Sequence, residues 1–440
     1  MVDEDGKATK GRVIRCQRPY RTAGRDRLFR GSMRTLIVAG DYPWPENAGS
    51  RLRLATAVGG LARLGPTDLV SVVRETRNDF DPPPDTPGLD RIGRVGFDNR
   101  TDSGLAVLGT LTRPSKPLGL QWRQAARIRQ GVIDFMGGRY DLVWYFGIRA
   151  WAQVGSLNEA PVILDLEDLE DRKIKARLAL ADRTGDGLVR RAQGGLGQVL
   201  SSEDARRWHR LQLAAARRAS VTVVCSNLDA QRAREDGLPR VEVIPNAYPK
   251  VKVPVGRSSV NDPPVVMFPG LLTYPPNVQA AEFLATEIGP ELRRHIPELR
   301  IRLVGSAAPE LYRLDDPPSV VVTGQVPSMD EELAGSDLVI VPLRYGSGTR
   351  LKIVEAFAQK VPVVSTTVGA EGLGVTNGEH LLVADDSAGL AAACLRLLTD
   401  VGLRRRLVDS AHKLFLEEFQ RERIETRIGD LGLRVTGLGN

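Results

Sequence analysis

The stretch Pro342-Leu-Arg-Tyr-Gly-Ser-Gly-Thr-Arg-Leu-Lys-Ile-Val-Glu-Ala-Phe-Ala358 decides the reading of this 440-residue chain. It follows the apolar run 338–341, which reads as a buried strand. A loop carrying Gly346 and Gly348 then leads straight into a helix starting near 349–351. Arg350 and Lys352 fall in its first turn, and Glu355 lies one turn further. The N–H groups and dipole of a helix start attract anions, so two cations placed there oppose the helix. An external anion such as a diphosphate relieves that conflict. Glu355 is suited to accept two hydroxyl hydrogen bonds, as from a ribose diol. The competing reading is a plain loop–helix junction with surface charge. Strand end, glycine loop, cationic helix start and glutamate together favour phosphate binding.

Working outward, the C-terminal half alternates strands at 265–268, 301–304, 320–322, 338–341 and 363–365 with helices near 277–284, 330–333 and 351–358. Residues 387–426 are mostly helical in pattern. The N-terminal half opens with a strand at 36–39, a Pro/Asn/Gly loop at 41–50 and a helix at 51–64 ended by Gly65-Pro66, then a strand at 69–73. Strand, helix, strand at this spacing implies a parallel sheet with right-handed crossovers. Residues 75–118, rich in Pro, Asp and Gly, show no clear element. A helix is expected at 118–135, strands at 141–146, 162–166, 221–225 and 241–244, and helices at 202–218 and 227–234. Residues 172–200 have helical composition interrupted by glycines. Two α/β halves therefore meet near residue 250, and ligands of open parallel sheets bind beyond the carboxyl ends of the strands. A cleft between the halves follows.

Composition narrows the class. Hydrophobic content of 42% and charged content of 26% are ordinary for a globular chain. The net charge of +7 invites a nucleic-acid or membrane reading, but residues 1–32 hold nine Lys/Arg against four acids. Five of the seven charges thus sit in a segment that reads as a basic disordered tail, and residues 33–440 carry only +2. Met33 opens the first strand and reads as a natural start. The tail is then a translation artefact or loose arm, with an Arg-rich anchor for anionic lipid or nucleic acid as the alternative. Cys16, Cys225 and Cys394 are too scattered for a disulfide framework, and the four histidines show no metal-ligand spacing. No apolar run reaches the length of a membrane span. A cytoplasmic setting is expected, at the inner face of the membrane if the arginine clusters at 206–210 and 217–218 meet a surface carrying a lipid-linked acceptor; most such faces are merely solvated. All five tryptophans lie before residue 209, where core packing or stacking on an acceptor sugar would use them.

The quoted stretch resembles the donor-binding signature of GT-B glycosyltransferases of the family 4-like group. Phe268-Pro-Gly-Leu-Leu-Thr-Tyr-Pro-Pro-Asn277 resembles that group's first C-domain strand and loop, Leu303-Val-Gly-Ser306 its next strand end, and Thr323-Gly-Gln-Val326 its nucleobase loop. Val363-Val-Ser-Thr-Thr-Val-Gly-Ala-Glu-Gly-Leu373 resembles the segment after the signature, Asn47-Ala-Gly-Ser50 the N-domain glycine loop, and Val224-Cys-Ser226 the strand before the interdomain connection. The resemblance covers roughly residues 33–425. It implies an α/β fold of GT-B architecture, with two Rossmann-like domains facing across a cleft. It divides the chain into a tail (1–32), an N-terminal acceptor domain (33–248), a linker (249–263), a donor-binding domain (264–410) and a helical segment crossing back to the N-domain (411–440).

The implied activity is transfer of a sugar from a nucleotide-diphosphate donor, with retention at the anomeric carbon, to a glycan, lipid-linked or small-molecule acceptor. It implies neither metal nor other cofactor, and no nucleic-acid partner. Arg350 and Lys352 would hold the diphosphate, Glu355 the ribose, and Gly270 with Tyr274 a phosphate-facing loop. Gly305, Gln325, Val326, Ser347, Gly348, Thr349 and Leu351 complete the donor site by this resemblance, with Gly49 and Ser50 opposite. Gly49 and Ser50 also read as a simple tight turn.

The chain departs from the pattern in three places. Many members carry two glutamates separated by seven residues; the second matches Glu355, but the first position is Ser347. The basic pair of the first C-domain loop is missing from 271–276, leaving Arg350 and Lys352 to substitute. Where many members have a histidine touching the donor sugar, this chain has Glu167 and Asp168. Either carboxylate can hydrogen-bond a sugar hydroxyl or assist acceptor deprotonation, or the pair is only an acidic helix start. Two rivals remain: a nucleotide-sugar-binding protein without turnover, and a nucleotide-sugar epimerase of similar fold, which would need a histidine among its catalytic carboxylates.

Overall fold

The computed structural model describes residues 33–77, 80–98, 116–118, 120, 124–157, 160–183, 194–251, 263–346 and 350–438. The basic segment 1–32, Trp122, and the site residues Ser347, Gly348 and Thr349 fall outside that set.

Seven parallel strands form the first sheet: β1 (Thr35–Ala39), β2 (Thr67–Arg74), β3 (Leu89–Phe97), β4 (Leu142–Phe146), β5 (Val162–Asp165), β6 (Val221–Val224) and β7 (Val241–Val243). Their order is β3-β2-β1-β4-β5-β6-β7. The crossovers include α1 (Gly49–Ala62), α2 (Ala125–Phe135), α3 (Ile148–Val154), α4 (Glu170–Arg183), α5 (Gly194–Arg218) and α6 (Asn227–Glu235). Strands such as β1 and β4 are buried along their whole length, which is why they read as continuous apolar runs.

The second sheet has six parallel strands in the order β10-β9-β8-β11-β12-β13. These are β8 (Val265–Pro269), β9 (Arg300–Val304), β10 (Val320–Gly324), β11 (Leu338–Val341), β12 (Val363–Ser365) and β13 (Leu382–Val383). Helix α7 (Pro275–Phe283) runs through a π turn into α8 (Gly289–His295). Then follow α9 (Met329–Ala334), α10 (Leu351–Ala358), α11 (Thr367–Ala370), α12 (Ser387–Thr399), α13 (Val401–Leu414) and α14 (Arg421–Thr436). Each sheet reverses its order beside its first strand, β1 against β4 and β8 against β11. Those switch points are where open α/β sheets bind ligands.

Several boundaries differ from the sequence reading. Strand β3 lies inside the Pro/Asp/Gly-rich region that showed no element. It is an edge strand interrupted by Asp90, Arg91, Gly93 and Arg94, and Gly93 leaves room for the Phe135 ring, which a Cβ there would meet at 2.5 Å. Helix α1 starts at Gly49 rather than 51, after extended Ala48. Helix α5 starts at Gly194 rather than 202, its glycines overridden by packing along α4. Helix α2 covers only the second part of the expected 118–135.

Helix α14 lies on α1 of the first domain. Ile424, Ile428 and Leu431 join Val58 and Leu61 in one core, and Gly60 permits the approach, since a Cβ there would sit 2.7 Å from the Glu425 carbonyl. The chain leaves the first domain through residues 244–251, and Tyr248 N–H donates to the Phe419 carbonyl at 2.9 Å just before α14.

Candidate functional site

On the C-terminal side, the ends of β8 and β9 turn on Gly270 and Gly305 with φ of +148° and +128°. A Cβ on Gly305 would lie 2.0 Å from the Gly270 carbonyl oxygen, so the two loops interlock through bare backbone. Tyr274 precedes the first turn of α7, and Asn277 sits within it. The Lys352 ammonium donates to Asn277 Oδ1 at 2.8 Å and stands 4.3 Å from the Phe268 ring centroid. It lies directly under Gly270, where a Cβ would touch Nζ at 2.9 Å. Burial, and then the neighbouring Arg350, push Lys352 down to about 7, against the pull of Glu355. Burial pushes Glu355 up to about 7, with Lys352 opposing and Asp330 adding to the rise. Asp330 itself accepts from the Tyr248 hydroxyl at 3.0 Å, so the interdomain connection touches the Glu355 corner.

Arg350, only 6% exposed, is the residue before α10. Burial lowers its pKa, while Asp168, Glu371 and Asp229 hold the charge in place. Gln325 is exposed and Val326 half-buried just past β10. Leu351 is buried against Gly49 of the opposite domain, whose Cβ would lie 2.9 Å from Leu351 Cδ1.

That contact brings two helix starts face to face. Neither α1 nor α10 has a side-chain cap or an acidic residue in its first turn. By contrast α6, α9, α12 and α13 are capped by Ser226, Ser328, Asp386 and Asp400. The two N-termini thus turn positive dipole ends, without a side-chain cap on their first N–H groups, toward one volume beside Arg350. The domains also meet where Arg232 pairs with Glu371 and where Gly372 abuts Ser226, whose Oγ a Cβ would meet at 3.0 Å.

On the N-terminal side a cavity of about 190 Å³ opens at the switch point between β1 and β4. Ser50, Asp41, Arg149, Glu167, Asp168 and Lys173 are among its walls. Lys173 Nζ binds Asp168 Oδ2 at 3.0 Å and reaches Glu170 at 3.8 Å. Arg149 binds Glu170 at 3.2 Å and lies over the Trp208 ring. Burial, then the adjacent Asp168, push the Glu167 carboxyl well above the usual carboxylate range. Tyr274 of the other domain lies within electrostatic reach of Lys173 and Asp168.

Of the sequence candidates, Glu167, Asp168 and Ser50 gather at this cavity, and Gly270, Tyr274, Arg350, Lys352 and Glu355 gather opposite. Gly305 acts as a backbone spacer. Trp44, Trp144, Trp151 and Trp208 are all buried in the core and offer no stacking face. Sequence reading missed Lys173, Asn277, Arg149, Asp41 and Glu371. Asn277 and Glu371 stand inside the quoted motifs; Lys173, five residues after Asp168, carried no such signal. It also missed that Asp171, His209 and Asp236, distant in sequence, meet between α4, α5 and α6. There Lys175 at 2.9 Å and Arg172 at 2.8 Å balance the two carboxylates.

Two parallel sheets of this order, facing each other across a glycine-lined cleft, are the GT-B fold of glycosyltransferases. Residues 263–400 match the family model described as glycosyl transferases group 1. The structure of Anabaena HepE in complex with UDP and glucose is similar over 91% of this chain and 99% of its own, with a TM-score of 0.60 and 18% identity. Sucrose-phosphate synthase from Thermosynechococcus elongatus is similar over 92% of this chain and all of its own, with a TM-score of 0.66 and 16% identity. In sequence, an uncharacterized protein of the cps region of Klebsiella pneumoniae is 24% identical over 172 residues, 37% of this chain and 44% of that one. An exopolysaccharide phosphotransferase of Streptomyces coelicolor is 32% identical over 186 residues, 40% of this chain and 19% of that one. The matches therefore span less than half the length of either curated relative. Among the described residues, no helix is long and apolar enough to cross a membrane.

Proposed function

We propose that the protein transfers a glycosyl group from a nucleoside-diphosphate sugar to an acceptor hydroxyl, with retention of anomeric configuration and without a catalytic metal. The observation that carries this reading is the meeting of two uncapped helix starts at Gly49 and Leu351 beside the buried Arg350. Such an arrangement suits a diphosphate and stabilises the negative charge that grows on it as it leaves. Arg350 supplies a fixed cation for that charge, and Lys352 a second one in its protonated form. Glu355 accepts from the ribose hydroxyls, Gln325 and Val326 border the base, and Gly270 with Tyr274 lets the loop approach the phosphates. The bond between the anomeric carbon and the diphosphate oxygen breaks, its electron pair leaving on the diphosphate. The acceptor oxygen bonds to the same carbon, and its proton passes to the departing phosphate. Glu167 and Asp168 orient the acceptor hydroxyl from the opposite wall.

Calorimetry with UDP, ADP, GDP and their sugars, followed by nucleotide release with and without acceptor, tests the reading. One nucleotide is expected to bind, with Arg350→Ala weakening it at least tenfold. Undiminished affinity in Arg350→Ala and Glu355→Ala would remove the site. Binding without turnover for any acceptor would favour a protein that only binds the nucleotide sugar, the rival that Ser347 motivates. For the epimerase rival, none of the four histidines lines the N-domain cavity.

A further inference from the structure

We infer that Tyr248, in the connection between the two domains, is a positioning residue for nucleotide binding: its hydroxyl holds Asp330 and so sets the surroundings of the Glu355 carboxylate, which ties the ribose contact to the crossing of the two interdomain segments. This rests on the donor reading above and adds a residue that lies outside every donor motif.

The backbone of Tyr248 belongs to the crossing. Its N–H donates to the Phe419 carbonyl at 2.9 Å, and the Arg421 N–H donates to the Tyr248 carbonyl at 3.1 Å. The outgoing connection and the returning segment are therefore paired side by side, with Tyr248 bridged to Gln420. The Arg421 side chain then reaches Glu46, in the loop that leads to Gly49, with Nη1 3.2 Å from Oε1. The side chain of Tyr248 belongs to the second domain. Its ring packs against that domain's core. Its hydroxyl donates to Asp330 Oδ1 at 3.0 Å. Asp330 lies in the first turn of α9, whose start is fixed by Ser328, the Oγ accepting the Glu331 N–H at 3.2 Å. One residue thus joins the crossing of the chain to the corner that Asp330 shares with Glu355.

The charges at that corner give the hydroxyl its role. Glu355 is faced by Lys352 on its own helix, by Asp330 on α9 and by Tyr248 from the connection, and Arg421 faces Tyr248 in turn. Burial, then the Glu355 and Asp330 carboxylates, push the phenol up, so it keeps its proton and remains a donor. Its hydrogen bond stabilises the Asp330 charge where it stands and offsets part of its field. Without the hydroxyl, the like charge of Asp330 bears more fully on Glu355 and raises it further. A protonated Glu355 cannot accept from both ribose hydroxyls. A residue that only packed the connection would change stability, but not the pH at which the ribose contact is lost.

The test is calorimetry of the full-length protein with UDP, ADP and GDP and with their 2′,3′-dideoxy forms, from pH 5.5 to 8.5. The dideoxy forms keep the base and the diphosphate but offer Glu355 no hydroxyl. Tyr248→Phe is expected to move the acid limb of ribonucleotide affinity to higher pH, with about a fivefold loss at pH 6.5, the worth of one hydrogen bond. The alkaline limb, set by Lys352, and the affinity for the dideoxy form are expected to stay unchanged. Asp330→Asn removes the like charge and is expected to move the acid limb to lower pH, and Tyr248→Phe added to it is expected to cause no further shift. Asp330 is exposed, so this variant carries the test if thermal melting shows Tyr248→Phe unfolded. An unmoved acid limb in either folded variant, or an equal loss for the ribose and dideoxy forms, overturns the inference and leaves the donor reading standing. Absence of binding by every nucleotide in the unaltered protein would overturn the donor reading and this inference with it.

Discussion

Lys352 and Glu355 sit three residues apart on α10, and burial works against the charge of each. The free site therefore carries two groups that titrate near neutrality, Lys352 down at about 7 and Glu355 up at about 7. A nucleoside diphosphate needs the first protonated and the second ionised. Below pH 7 Glu355 takes up its proton and loses its capacity to accept from both ribose hydroxyls; above pH 7 Lys352 loses the proton that the diphosphate requires. Nucleotide affinity is accordingly expected to peak near pH 7 and to fall on both sides, toward tenfold per pH unit. Glu355→Gln should remove the acid limb and keep the alkaline one. Calorimetry from pH 5.5 to 8.5 checks this, and a flat profile would contradict the placement of both groups. The same burial sets the sign for stability. Glu355 contributes most below its unfolded value and loses that contribution as pH rises through about 7. Lys352 contributes most at high pH and loses it as pH falls toward 7.

Gly305 presents a different constraint at the same scale. Its φ of +128° and its 2.0 Å approach to the Gly270 carbonyl leave no space for a side chain. Gly305→Ala must both strain the backbone and push apart two strand ends that have no flexible atom to yield. A loss of at least about 2–3 kcal/mol is expected, combining backbone strain with overpacking, read by chemical denaturation. Gly237, at φ +83° with open space around it, should cost less on the same substitution.

At the scale of elements, the decisive contact lies beneath the cavity. Arg53 of α1 is buried and binds both oxygens of Asp165, at the end of β5, with its Nη2 at 2.8 Å from Oδ1. Its Nη1 donates to the Ile244 carbonyl at 2.8 Å and to Asn246 Oδ1 at 2.9 Å, where the chain leaves for the second domain. One guanidinium thus ties α1, β5 and the interdomain connection together under Glu167. Arg53→Met leaves Asp165 charged and unpaired, and a loss of about 3–5 kcal/mol is expected. Adding Asp165→Leu should recover much of it, because both desolvated charges are then gone. Thermal and denaturant unfolding of the single and double variants decides this; equal instability in both would mean that the pair's hydrogen bonds to the connection matter more than its charge.

Arg53 also marks the limit of sequence reading. In sequence it is only one arginine in the helix expected at 51–64, since its partners stand 112 and 193 residues away. The strand alternation, the switch-point cleft and the glycine loop before α10 were legible because each is local. Strand β3 was not, because an edge strand pays little for polar residues and glycine. The acceptor side was legible only at Glu167 and Asp168. Lys173, Arg149 and Asp41 acquire meaning from neighbours that folding brings together, and pattern alone offers no sign of them.

At the scale of the whole molecule, several contacts between the domains frame the site. Gly49 meets Leu351 at the helix starts, Gly372 meets Ser226, and Arg232 pairs with Glu371. The last pair joins α6 of the first domain to the turn after α11 of the second, and Glu371 also helps to hold the charge of Arg350. Among the described residues the two domains are also joined by Leu52 of α1, which packs into the second domain's core, by the 244–251 connection, and by α14, whose first residue Arg421 pairs with Glu46 in the loop before Gly49. Relative motion about that connection would open or close the space between the helix starts, and the Arg232–Glu371 pair would favour the closed arrangement. Both side chains are about 30% exposed, so the pair is worth only about 1 kcal/mol and weakens with salt. Arg232→Glu places two acids face to face and should favour the open arrangement, lowering turnover several-fold while leaving the fold's melting temperature nearly unchanged. Arg232→Glu combined with Glu371→Arg restores the pair with its sense reversed. It should recover turnover unless Glu371 is needed in place beside Arg350. Steady-state rates at low and high ionic strength, with nucleotide affinity measured alongside, separate the two roles. Recovery of turnover with lost salt sensitivity in the single variant assigns the pair to domain closure. Unrecovered turnover with weakened nucleotide binding assigns Glu371 to the support of Arg350.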